Sequence, residues 1–171
     1  MSLTDLLKLM LDLAVLWVIV FPITTFLHEC GHALAALVSS DHAITIKMGG
    51  GPGRWTWQRG RLRLVINPLP GFVGFTWCEK EGLRFRGSVL ISLAGPTVSL
   101  FLGGLFWGLT HTGSPPDWVK SALETVSIAC LIQFILTILP MRYPRWLGGY
   151  AGIPSDGWHA LRLLRGQSTG K

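Results

Sequence analysis

Three long apolar runs divide the chain. The first extends from about Leu3 to Ser39, and between Ala14 and Val38 its only formal charge is Glu29. The second, Ser88 to Thr110, has no charge, and the third, about Ala122 to Leu139, ends at Pro140. As helices, each is long enough to cross the roughly 30 Å hydrocarbon core of a bilayer. Met1 to Asp5 has no basic n-region, so the first run reads as a spanning helix and not a signal peptide. Pro22 predicts a kink within it. Between the first two runs the period changes. Ala43–Met48, Arg61–Ile66 and Val73–Trp77 alternate as strands do, with Gly49 to Gly53 as a Gly-rich turn. After the third run, Ser155 can cap a short helix that is too short to span. The expected fold is a mainly α membrane protein. It has three transmembrane helices, a short C-terminal helix, and a small membrane-dipping β-sheet in the loop between helices 1 and 2. Residues 1–171 form one domain.

Composition sharpens this picture. Half of the 171 residues are hydrophobic (49%) and only 14% are charged, against about 25% in soluble domains. The net charge of +6 is concentrated in residues 41–87, where Lys47, Arg59, Arg61 and Arg63 are joined by further Lys and Arg at 54, 80, 84 and 86. The positive-inside bias makes that loop cytoplasmic and the N-terminus external, as expected for a multi-pass protein of a cell (inner) membrane. The same charge is therefore not read as a nucleic-acid surface. Three widely spaced cysteines, Cys30, Cys78 and Cys130, do not suggest a disulfide framework. The Gly-rich turn lacks the Gly-Lys-Ser/Thr of a phosphate loop, which argues against nucleotide binding.

The chemistry lies inside the first run. His28-Glu29-Cys30-Gly31-His32 reads H-E-x-x-H. On a helix, residues four apart share a face, so two imidazoles stand one above the other and can hold one Zn²⁺ at about 2.0–2.1 Å. Glu29, next to the first of them, is placed to take a proton from the attacking water. Ionisable groups within a membrane helix are costly and mark function by default. Cys30 points to another face and reads as packing. His32 is nine residues from Asp41, roughly 13 Å along a helix, which places the metal inside the bilayer.

Other polar or helix-breaking positions are more ambiguous. Ala94-Gly95-Pro96 interrupts the second run at about the depth of His32, and Gly95 and Pro96 are expected to pack near the site. Gly104 and Gly108 form a G-x-x-x-G that reads as helix packing. Gln133 and Thr137 share a face of the third run, either bonding across helices or facing the site. His159 is a polar interface residue, a second-shell group or an alternative ligand.

Taken together, HECGH, Ala94-Gly95-Pro96 and Asp156-Gly157 resemble the site-2 protease family of intramembrane zinc metalloproteases, over about residues 14–165. The resemblance implies that His28, His32 and Asp156 are the zinc ligands and Glu29 the catalytic base. It implies one Zn²⁺ per chain and a membrane-protein substrate cut in or near its transmembrane helix, within the lipid bilayer. Gly50, Gly51, Pro68 and Gly71 resemble the family's substrate-lining loop elements. The family's Asn falls on Thr137, with Gln133 at an earlier Asn-like position, so these two are assigned substrate or transition-state support. The family's L-D-G has become S-D-G, and the gap from Pro140 to Asp156 is longer than usual. No PDZ-like or nucleotide-sensing module is expected, so substrate selection falls to the core or to an adaptor partner. The alternative is a catalytically inactive zinc-binding relative that holds a partner helix.

Overall fold

The computed structural model describes residues 2–51, 55–67, 69–78 and 85–166, without the side chains of 69–72, 85 and 86. One helical rod opens the chain. It comprises α1 (Leu3–Val15), a π turn over Leu16–Val20, and α2 (Phe21–Ser39). The π turn directly precedes Pro22, which sits in the first turn of α2. The disruption expected at Pro22 is thus a widened turn just before it, within a helix that continues unbroken. At 37 residues the rod is one of three helices, among the described residues, long and apolar enough to cross a membrane. The others are α3 (Phe85–Thr110) and α4 (Asp117–Ile138), longer at their N-terminal ends than the expected 88–110 and 122–139.

Between α2 and α3 lies a mixed sheet of four strands, one more than expected. They are β1 (Ile44–Gly50), β2 (Trp55–Arg59), β3 (Leu62–Ile66) and β4 (Leu69–Cys78), in the order β2-β3-β1-β4. The unexpected strand is β2, an edge strand exposed along its whole length, which turns tightly into β3 at Gly60 (φ +57°). β1 runs parallel to β3 and antiparallel to β4.

The inward residues of β1, Ile44, Ile46 and Met48, are buried against Ala33 and Ala36 of α2, with Phe26, Cys30 and Leu37 closing around them. Small side chains on α2 let the sheet approach closely, and Cys30 serves that packing. Arg61, in the turn just before β3, fastens the sheet to the helix end: its guanidinium donates to the carbonyls of Ser40 and Leu37, where the helix leaves its last acceptors unmet.

Helix contacts are equally close. A Cβ on Gly31 would lie 2.9 Å from the Ala94 carbonyl oxygen, so α2 and α3 cross there backbone to backbone. α3 meets α4 at Gly103, which faces Leu131 and accepts from the Ser127 hydroxyl (2.8 Å). The G-x-x-x-G reading is corrected here, because Gly104 and Gly108 face open space. After α4 the chain makes an excursion closed at its base: Arg142 bridges Pro154, and the Ser155 N–H donates to the Met141 carbonyl (2.9 Å). α5 (Asp156–Leu164) then packs against α3.

Candidate active site

His28 and His32 stand one turn apart on α2, and α3 orients both rings. The His32 Nδ1–H donates to the Ile91 carbonyl (2.6 Å), because a carbonyl can only accept. His28 Nδ1 meets the buried Ser99 hydroxyl at 2.9 Å. Both Nε2 atoms therefore turn inward, 3.2 Å from each other. Asp156, the first residue of α5, completes a triangle. Its Oδ2 is 3.1 Å from His28 Nε2 and 3.3 Å from His32 Nε2.

These edges bear on what the triangle holds. With Nδ1 donating, a neutral His32 presents its Nε2 lone pair to a carboxylate oxygen, and two acceptors 3.3 Å apart need a cation between or beside them. Ligand atoms at about 2.0–2.1 Å from a tetrahedral metal lie about 3.3 Å from one another. The His–His–Asp group can thus hold a metal ion.

Two glycines make room for this group. A Cβ on Gly95 would sit 2.3 Å from His32 Nε2 and 2.7 Å from His28 Nε2. Neighbouring Pro96 is fully buried and cannot donate to the carbonyl four residues back. A Cβ on Gly157 would lie 1.8 Å from the Ile138 carbonyl oxygen, because the first turn of α5 abuts the end of α4. Gly157→Ala must push α5, and Asp156 with it, away from α2. The expected result is a loss of about 1–3 kcal/mol of stability. Reduced metal retention in detergent-purified protein should accompany it, checked by a thermal melt and a metal assay on the same sample.

The serine of S-D-G acts here as a tie. Ser155 Oγ donates to the Leu139 carbonyl (2.5 Å) and accepts from the Trp158 N–H (3.2 Å), capping α5 while joining it to the end of α4.

Glu29 is buried beside the triangle, with β4 holding its carboxylate. The Thr76 hydroxyl donates to Oε2 (2.7 Å), and Gly74 lies so close that a Cβ there would reach 2.7 Å from the Glu29 Cγ. A cavity of about 870 Å³ opens from this point. Its lining includes Trp17 and Phe21, residues 73–78 of β4, Gln133 and Thr137 of α4, and residues of the excursion from Tyr143 to Asp156.

Thr137 gives its hydroxyl to the Gln133 and Phe134 carbonyls of its own helix (2.9 and 3.2 Å), so it does not bond across helices. Gln133 Oε1 is buried with no hydrogen-bond partner among the described residues. His159 lies on the cavity wall outside the ligating group. Gly50 ends β1, Gly51 follows it, and neither lines the cavity. Gly71 lies within β4. Pro68, residues 52–54 of the Gly-rich turn and the charges at 79–84 lie outside the described residues.

Sequence reasoning missed Ser99, Thr76, Tyr143 and Tyr150. For Ser99 a signal existed: it follows Gly95 by four residues and so shares its helix face.

No curated protein matches the chain. The model of peptidase family M50 matches residues 16–159. That stretch begins at the π turn, takes in the sheet that clamps Glu29, and ends one turn beyond Asp156, so it contains the whole site. The chain belongs to peptidase family M50, the site-2 protease family.

Proposed function

We propose that this protein is an intramembrane zinc metalloprotease that hydrolyses a peptide bond in or near the transmembrane helix of a membrane-protein substrate. One observation carries the reading. Two histidines and one aspartate, from elements 128 residues apart in sequence, bring three ligand atoms to 3.1–3.3 Å of one another beside a buried glutamate. Three protein ligands with the fourth position left open are the pattern of a catalytic zinc site, as distinct from a structural one. When bound, zinc would acidify water and polarise the scissile carbonyl.

The rest is chemistry of this chain. Ser99 and the Ile91 carbonyl fix the imidazoles. Thr76 aims Glu29, which takes the proton of the attacking water and returns it to the leaving amine. Gln133 lines the cavity and keeps a buried amide oxygen without a partner among the described residues, so a modest side-chain turn would offer it to a substrate N–H.

A helical peptide bond is poorly exposed to attack, so the substrate unwinds and adds as a strand to β4, by β-augmentation. β4 is an edge of the sheet, and its Thr76 side chain and Gly74 backbone lie against Glu29. The loop between α2 and α3 is cytoplasmic in this reading, by the charge bias.

Asp156→Ala tests the core of the proposal. Purified parent should carry about one zinc per chain. The variant should lose most of it, because two ligands remain and the carboxylate charge is gone. Full zinc retention in Asp156→Ala would remove Asp156 from the ligand set.

A further inference from the structure

The closed excursion between Met141 and Ser155 sits on the strand edge that a substrate would need. Met48 turns its carbonyl to the Asn67 N–H on the β3 side (2.9 Å), so the Met48–Gly74 pair exchanges no hydrogen bonds. The N–H and C=O of Gly74 therefore point outward, away from β1. Tyr150 takes both. Its hydroxyl accepts from the Gly74 N–H (2.9 Å) and reaches the Gly74 carbonyl (3.4 Å).

The ring of Tyr150 lies between Phe75 and Tyr143, with centroids at 5.5 and 5.4 Å. Burial pushes the Tyr150 phenol well above its usual range, which keeps it a neutral donor. Gly149 presses on the same strand: a Cβ there would lie 2.7 Å from Val73 Cγ2. A strand added to β4 would run about 4.7–4.9 Å from it, through the space that Tyr150 fills.

We propose that the 142–154 segment is an autoinhibitory latch, in which Tyr150 stands in for the substrate strand at Gly74 and must leave before a peptide can pair there. The inference rests on the reading that β4 receives the substrate. It makes the tip of the segment, not the metal group, the point at which cleavage is switched.

A reversible lock tests it. A Cβ at position 149 falls 3.4 Å from Val73 Cβ, close to disulfide separation. The full chain carrying Val73→Cys and Gly149→Cys is purified, oxidised or reduced, and reconstituted with a fluorescent single-pass helix containing a Gly-Pro break. Either single-cysteine variant serves as control for Cys30, Cys78 and Cys130. Oxidation should lower cleavage at least tenfold in the double variant alone, and reductant should restore it. Tyr150→Phe should raise cleavage about fivefold, the equivalent of one ordinary hydrogen bond.

Equal cleavage in both redox states overturns the latch, as does a disulfide that does not form. If the reduced protein does not cleave, the protease reading is what fails. Binding of the same probe to the locked and unlocked protein in a Glu29→Gln background then decides, and equal affinity overturns the latch.

Discussion

Glu29→Gln should reduce cleavage of a reconstituted single-pass helix by about 10²–10⁴-fold while leaving metal content unchanged. The change is nearly isosteric, and the Thr76 hydroxyl that donates to Oε2 at 2.7 Å can donate equally well to an amide oxygen. The packing of Gly74 against the side chain is also kept. What disappears is the ability to take and return a proton. Because the carboxylate is not one of the three atoms in the ligand triangle, zinc should stay near one per chain. Turnover measured in proteoliposomes, beside a metal assay, separates the two effects. Undiminished turnover in the variant would mean that another group is the base.

Gly95→Ala should be nearly as damaging by a different route. A methyl group at this position falls 2.3 Å from His32 Nε2 and 2.7 Å from His28 Nε2, where the two lone pairs converge. Both rings are held from behind, by Ile91 and Ser99, so neither can retreat without losing its hydrogen bond. Zinc affinity is expected to fall at least about a hundredfold, with cleavage falling alongside. Helix propensity pulls the opposite way, favouring Ala over Gly by up to about 1 kcal/mol, so the helix itself should not weaken. Gly104→Ala is the matched control, since nothing lies within 4 Å of the added carbon. Competition against a chelator of known affinity reads both variants. Equal affinities in the two would show that the imidazoles do not converge on the metal.

The H-E-x-x-H group was legible because its spacing is its geometry: four residues on a helix fix which side chains share a face. The three apolar runs were legible for a similar reason, since length and hydropathy act locally. The strand β2 was not, because Trp55 to Arg59 is exposed throughout and no burial alternation marks it. Spacing also misled at Gly104 and Gly108. A small-residue repeat states which residues share a face but not which face meets a neighbour, and Leu131 and Ser127 place that contact at Gly103. Ser99 and Thr76 lie 71 and 47 residues from the side chains they hold, a distance no local pattern can bridge. The reach from Pro140 to Asp156 looked like a departure from the family. The structure places the added length in a segment closed on itself by the Arg142–Pro154 bridge.

That closed base has a mechanical consequence. Ser155 is bonded at once to Leu139, Met141 and Trp158, so the residue before Asp156 is clamped to two helices. The Arg142–Pro154 bridge lies between Tyr150 and that clamp. If the 142–154 segment moves as the latch proposal requires, it would swing like a door on a fixed jamb, and Asp156, mounted just beyond the hinge, would keep its aim through every opening.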